Sequence, residues 1–461
     1  MASTTAKDEV RADQPAARKP AARASQSVIS DRAGSGRPVY IVDGARTPFL
    51  RARGKPGPFT PVDLAVQCGR PLLLRQSFSP DAIDAVILGC VNVIADEMNP
   101  ARVAALRLGI SASVTAFTVQ INCGSGMQSI DIAFRTIEAG KAELILAGGT
   151  EALSHAPLVL RRRAVEWFGR VATAKTTWTK AAALPSFRPE MARPVIGLER
   201  GLTDPITELN MGQTAELVGH LFGVTREAAD AYALASHQRL TRAQRNGFLE
   251  GEVMPAVARD GSIYDHDDGV RPDTSMEKLA ELHPVFERPY GRVTAGNSSQ
   301  ITDGGCWLIL ASERALGEHK LKPLARILDS EWSALNPAIM GLAPTLCSAA
   351  LLERQGLHSE SIDLWELNEA FSAQVLACLA AWEDEEYCRD VLGLDGVFGP
   401  IERDRLNVDG GAISLGHPVG TSGNRLVLHL VHAMRRLGLN RGIATECIGG
   451  GQGGAMLLEI V

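Results

Sequence analysis

The chain has 461 residues and a net charge of −6, from 47 Lys and Arg against 53 Asp and Glu. At 45% hydrophobic and 22% charged residues it is not a chain disordered throughout. The acidic balance argues against a protein that coats nucleic acid, whose phosphate contacts call for a basic face. The longest apolar stretches, residues 86–95 and 426–434, fall far short of the roughly 18–20 residues of a membrane span.

The cysteines are Cys68, Cys90, Cys123, Cys306, Cys347, Cys378, Cys388 and Cys447, and no two are separated by only two residues. Neither a zinc ribbon nor a thioredoxin-type pair is encoded, and no metal ligand set is expected. The chain starts without the apolar core of a secretion signal, so the expectation is a cytoplasmic protein with mostly buried, reduced thiols.

Taken in chain order, residues 1–36 lack any aromatic residue and read as a disordered tail. Asp8, Glu9 and Asp13 argue against a transit peptide. A first strand is expected at 39–42. Residues 117–121 read as a strand, 122–126 (Asn-Cys-Gly-Ser-Gly) as a tight turn, 127–138 as a helix, and 144–147 as an apolar strand ending in Gly148-Gly149. Residues from about 156 to 271 have another texture, with Arg161-Arg162-Arg163, Trp167, Trp178 and a helical stretch at 225–245, and read as an insertion. A strand at 363–367 leads to Asn368-Glu369-Ala370-Phe371 opening a helix, and 381–405 form an acidic insertion. The first order of parts then recurs: a turn at 416–423 (Gly-His-Pro-Val-Gly-Thr-Ser-Gly), a helix at 425–437, and a strand at 442–446 ending near Gly449-Gly450. Both helices are apolar nearly all round, as in buried helices, and the strands are continuous apolar runs, as in a sheet covered on both faces. The pattern predicts an α/β protein of two similar halves, residues 37–318 and 319–461, packed with helices between them.

Cys123 precedes one buried helix, where the positive end of the helix dipole favours a thiolate; a small buried thiol in a strand-to-helix turn is an equal alternative. His417 lies in the equivalent turn of the second half, and two such turns meeting at a pseudo-dyad would bring thiol and imidazole together as nucleophile and base. Cys447 ends the final long strand and precedes Ile448-Gly449-Gly450-Gly451-Gln452-Gly453-Gly454. A dinucleotide reading of those glycines fails, because no helix or second strand can follow before Val461, and a P-loop reading fails for want of a following Lys-Ser/Thr. They suit backbone N–H groups aimed at a developing oxyanion. Asn368, by position alone, reads as a helix cap.

These stretches carry a family resemblance. Gly44–Phe49, Asn99–Arg102, Asn122–Ser129, Gly148–Ser154, Met211–Glu216, Ser236–Gln238, Val293–Ser299, Asn368–Phe371, Gly410–Gly423 and Cys447–Gly454 occur in the order found in thiolases, and the chain resembles that family of acyl-CoA acyltransferases from Pro38 to Val461. The resemblance implies a thiolase fold of layered α-β-α-β-α type, with the segment at about 156–271 as a loop domain that binds CoA. It implies Cys123 as the acyl-carrying nucleophile, His417 as its base and Cys447 as the acid/base at the substrate α-carbon or CoA sulfur. It also implies Asn368 in one oxyanion hole with the histidine, and the N–H groups of Cys123 and Gly449 in the other. Ser299, Arg271, Met211, Phe371 and Met340 fall on the CoA and acyl side. Coenzyme A and acyl-CoA are implied as substrates, with no permanently bound cofactor and a homodimer or homotetramer as the assembly.

The insertions after Ala156 and Trp382 resemble those of thiolase subunits in fatty-acid oxidation complexes. Asn368, where those subunits usually carry His, and the turn at 416–423 resemble the ordinary thiolases. Cys447 separates the chain from ketosynthases, which place a histidine there; a non-catalytic CoA-binding subunit is the rival of another class. Residues 158–183, with six cations among Trp167, Phe168 and Trp178, read either as a solvated loop, some of whose cations meet CoA phosphates, or as a basic amphipathic element touching a membrane or a partner.

Overall fold

The computed structural model describes residues 36–461, so the tail expected at 1–36 lies essentially outside the described residues. Arg37–Val461 form one compact unit. Its first half holds β1 (Val39–Arg46), α1 (Pro61–Leu74), β2 (Ala85–Gly89), α2 (Pro100–Arg107), β3 (Thr115–Val119), α3 (Ser125–Glu138) and β4 (Leu144–Ala152). The insertion follows with α4 (Arg162–Thr173), α5 (Met211–Leu221) and α6 (Arg226–Arg245), and β5 (Thr302–Ser312) returns to the sheet. The second half holds β6 (Ala325–Ala334), α7 (Ala343–Gln355), β7 (Leu364–Leu367), α8 (Ser372–Glu383), α9 (Val419–Leu437), β8 (Arg441–Ile448) and β9 (Gln452–Ile460).

The strands lie in the order β7-β8-β9-β6-β1-β5-β4-β2-β3, with Leu50–Arg51 added beside β5. In the first half β2 is parallel to β4, β4 antiparallel to β5, and β5 antiparallel to β1. In the second half β7, β8, β9 and β6 repeat that scheme. The duplication read from the two turns is therefore a duplication of topology. The halves are also joined by hydrogen bonds: Val39, Ile41 and Tyr40 pair with Ile327, Ala325 and Arg326, antiparallel, which makes one continuous ten-stranded sheet. A local symmetry axis runs through that antiparallel pair.

Three apolar layers explain the stacking. One face of both half-sheets shares a core with α3 and α9, through Ile130, Phe134, Leu426, Leu430, Ile145, Leu308 and Met456, all buried. The outer face of the first half packs on α1 and α2, through Leu72, Ala104, Leu146 and Trp307. That of the second packs on α7 and α8, through Leu351, Val375, Trp365 and Leu457. β4 and β5 are covered on both faces and so are buried along their whole length, with mostly apolar sequences.

The two central helices meet at their N-termini because glycines let them. A Cβ on Gly126 would stand 2.5 Å from Asn424 Oδ1 and 3.1 Å from the Gly420 carbonyl, and one on Gly423 would stand 2.5 Å from the Met127 nitrogen. Helix α9 starts at Val419, six residues before the expected start, so the glycines of the 416–423 turn are largely helical.

Candidate active site

Three turns converge around Cys123. The chain leaves β3 and enters α3 through Asn122, held in the left-handed region at φ 47°. Ser125 Oγ donates to the Asn122 carbonyl at 2.6 Å and accepts the Ile121 N–H at 2.9 Å, which fixes the turn. Asn122 Nδ2 then donates to the Gly449 carbonyl at 2.8 Å, reaching 327 residues along the chain. Gly449 opens the hairpin between β8 and β9, whose next two residues need φ of 94° and 79° and so are glycine. The bond from Asn122 brings the hairpin to Cys123, where the backbone N–H groups of Gly449 and of Cys123 itself both act to lower the thiol.

The thiol of Cys123 departs from expectation. Burial pushes it up to about 12, the Gly449 N–H draws it back, and the buried Glu446 and Glu151 carboxyls raise it further. Proximity to a helix N-terminus does not outweigh lost hydration at a sulfur facing two carboxyls. The resting group is a thiol.

His417 lies in the turn that leads into α9. Its backbone N–H donates to the Gln300 carbonyl at 2.9 Å, and its Nδ1 lies 2.6 Å from Ser422 Oγ. The Ser422 hydroxyl donates to the Pro418 carbonyl at 3.3 Å, so it accepts from Nδ1–H and the lone pair falls on Nε2. Nε2 is buried and has no hydrogen-bond partner among the described residues. Burial, with Arg425 nearby, lowers the imidazole to about 4, so at physiological pH it is neutral and its Nε2 lone pair is unprotonated.

Cys447 is fully buried two residues before Gly449. It shares an apolar cluster with Met340 and Ala370, against which Met211 and Phe371 pack. Met211 also touches Gly449: a Cβ there would lie 3.4 Å from the Met211 sulfur. Ser299 joins the cluster through its N–H, which donates to the Ala370 carbonyl at 3.0 Å. Burial raises the Cys447 thiol well above its usual range, and the neighbouring Cys123 adds to that.

Asn368 is not a cap. Helix α8 starts only at Ser372 and takes Phe371 as its N-cap without a side-chain bond. The Asn368 amide is wholly buried, and both its oxygen and its nitrogen lack a partner among the described residues. Its backbone N–H donates to the Thr445 carbonyl at 2.9 Å, which ties it beside β8. Glu369 next to it is anchored by Tyr232 (2.9 Å) and Ser236 (2.7 Å) of α6 and by Asn407 (3.0 Å). Arg271 stands apart from this cluster: its N–H donates to His237 Nδ1 at 3.2 Å, and its guanidinium feels Arg51 and Asp273.

Sequence reasoning missed Asn122, Ser422 and Glu446. The first two sit in the motifs that hold Cys123 and His417, but only the folded chain shows whom they bond. Glu446 immediately precedes Cys447, faces the helix junction, and has both carboxyl oxygens buried without a partner among the described residues. Burial holds its carboxyl well above the usual range, so the folded protein keeps a proton that the unfolded chain releases above about pH 4.5. Stability is thereby lost as pH rises above that value. Glu446→Gln is expected to raise the unfolding midpoint at pH 8 and to leave it unchanged at pH 4, measured by thermal melts at both; an equal change at the two pH values would show a packing effect instead.

Residues 39–314 match the model of the thiolase N-terminal domain, and residues 321–460 that of the thiolase C-terminal domain. The chain is 39% identical over 433 residues to the beta-ketoadipyl-CoA thiolase of Pseudomonas aeruginosa, covering 92% of this chain and 100% of that one. It is 36% identical to the mitochondrial 3-ketoacyl-CoA thiolase of Bos taurus, covering 92% and 98%. The crystal structure of human mitochondrial 3-ketoacyl-CoA thiolase in complex with CoA superimposes with a TM-score of 0.79 at 35% identity, over 92% of this chain and 98% of that one.

Proposed function

The chain belongs to the thiolases, a family of acyltransferases, and from that premise we propose that it cleaves 3-oxoacyl-CoA with CoA, through an acyl thioester on Cys123. Cys123 gives its proton to His417 Nε2 as the sulfur attacks the ketone carbon. The bond between that carbon and the α-carbon breaks, its electron pair passes to the departing acetyl-CoA enolate, and the Cys447 thiol protonates the α-carbon. The Cys447 thiolate then takes the proton of an incoming CoA thiol. The CoA sulfur attacks the acyl group, the bond to Cys123 breaks, and Cys123 recovers its proton from His417.

The observation that supports this reading most is the tie from Asn122 Nδ2 to the Gly449 carbonyl at 2.8 Å, which brings the Gly449 turn to Cys123, where the backbone N–H groups of both residues favour negative charge. Donors held beside the reacting centre suit an oxyanion on the carbon that this sulfur attacks, and each such donor contributes about 2.7–4 kcal/mol in comparable sites. His417 Nε2 and the Asn368 amide are the buried polar atoms suited to the enolate oxygen, the amide by way of a water. Met211, Phe371 and Met340 line the thioester side beside Cys447, while Ser299 and Arg271 meet the pantetheine and nucleotide of CoA.

Degradation of fatty acyl chains is the role we assign, in the cytoplasm, as a homodimer or homotetramer; the two insertions favour association with a fatty-acid oxidation complex. The Pseudomonas relative's name favours a second reading, a 3-oxoacyl-CoA ending in a carboxylate, and condensation of two acetyl-CoA is the reverse of the same chemistry. Acetyl-CoA is expected to leave one acetyl group on the wild-type chain and none on Cys123→Ala, read by intact mass. An adduct that persists in the variant would overturn the assignment.

A further inference from the structure

The insertion contains a half-open cavity of about 960 Å³ that the proposed chemistry does not use. Arg161, Arg162, Arg163, Arg188, Arg193 and Arg200 line it. They come from three places: the start of α4, the turn around Pro189–Ala192, and the short helix Gly197–Gly201. Only two carboxylates, Glu190 and Glu199, share the lining. Among the described residues one of the six arginines has an ion pair, Arg162 with Glu166 at 2.8 Å, and the other five guanidinium groups have none. A chain with a net charge of −6 has thus gathered unpaired cations around one hollow, where they repel one another unless an anion joins them.

Apolar side chains are exposed on the same segment. Leu158, Val159 and Leu160 lead into the arginine run, Val165 and Phe168 are exposed on α4, Ile196 is exposed beside Arg193, and Trp178 is 85% exposed on the next helix. The cavity is also fastened to the candidate active site without being part of it. Thr203 in its wall bridges to Asn210, and the Met211 N–H donates to the Leu202 carbonyl at 2.9 Å, yet none of Cys123, His417, Cys447, Ser299 or Arg271 lines it.

We propose that this cavity is a second anion site, distinct from the one for CoA, which binds clustered phosphate oxyanions through the bidentate geometry of its guanidinium groups. Such oxyanions come from two sources, a soluble diphosphate or the headgroups of an anionic lipid surface, and the apolar side chains exposed on the same segment suit the second.

The full-length protein is tested with inorganic pyrophosphate by calorimetry and by co-sedimentation with vesicles of phosphatidylcholine, with and without phosphatidylglycerol. Saturable pyrophosphate binding is expected, together with sedimentation only on the anionic vesicles, both weakened at least tenfold by Arg163→Glu with Arg193→Glu. Pyrophosphate binding without vesicle binding identifies the soluble source. The milder pair Arg163→Gln with Arg193→Gln serves if charge reversal prevents folding, and KM for CoA is expected to stay within twofold in either. Failure of the wild type to bind either probe, or equal binding by the variants, overturns the site. A KM for CoA that rises tenfold in the variants overturns its separateness by assigning the cavity to the substrate.

Discussion

Cys447→Ala is expected to lower thiolysis of acetoacetyl-CoA by about 10²–10⁴-fold while lowering exchange of labelled CoA into acetyl-CoA far less. The two reactions share Cys123, His417 and the same N–H donors, so any general damage to the site affects both. They differ in what leaves. Exchange expels a CoA thiolate, which is stable enough near neutral pH to depart with little help from an acid. Thiolysis expels an enolate carbon, whose conjugate acid is far weaker, so a proton must arrive as the carbon–carbon bond breaks. The Cys447 thiol suits that task because burial and the adjacent Cys123 keep it protonated. Its apolar neighbours, Met340 and Ala370, offer no competing donor from their side chains. Both rates are followed on one preparation, with Cys123→Ala as the reference in which both vanish. Equal losses in the two assays would remove Cys447 from the carbon chemistry and leave it a packing residue.

Much of this was legible in the chain itself, for reasons that differ from residue to residue. The turns carrying Cys123 and His417 are recognisable because each joins a strand or loop to a buried helix, and a buried helix has an unmistakably apolar sequence. Their equivalence follows from a repeated order of parts, and the sheet repeats it strand for strand. Other features depend on groups distant in sequence. The bond from Asn122 to Gly449 spans 327 residues. The short ladder between β1 and β6 gives no sign in either strand, since edge and central strands of a doubly covered sheet are equally apolar. The direction of the Cys123 thiol depends on the fold in the same way: a helix N-terminus is local and readable, whereas the burial that opposes it, and then the Glu446 and Glu151 carboxyls, arise from distant parts of the chain. Asn368 resembles a cap because a helix follows closely, and only the start of α8 at Ser372 shows that its amide is free for other work.

The largest expected loss of stability lies outside the site, in a buried charge network whose members are far apart in sequence. Arg46 at the end of β1 donates to Glu252 at 3.0 Å and to both oxygens of Asp267 at 2.7 and 2.9 Å. Glu252 also lies 2.9 Å from Nδ1 of His429 on α9, whose Nε2 stands 3.3 Å from Asp409, itself paired with Arg436. Glu252 is shared by two cations, Arg46 and His429, and all three side chains are almost wholly buried. Glu252→Gln leaves those cations short of a countercharge, at an expected cost of about 3–5 kcal/mol. The sign of the pH dependence follows from the histidine. Burial alone would lower it, but Glu252 and Asp409 hold its folded pKa up at about 10 against an ordinary 6.5. Its contribution is therefore complete below about pH 6.5 and fades as pH rises through 10. Urea unfolding of the wild type is expected to show that alkaline decline, and Glu252→Gln to start lower and decline less between pH 6.5 and 10. Parallel curves for the two proteins would mean that His429 is not charged in the fold, and that the network is held by Arg46 alone.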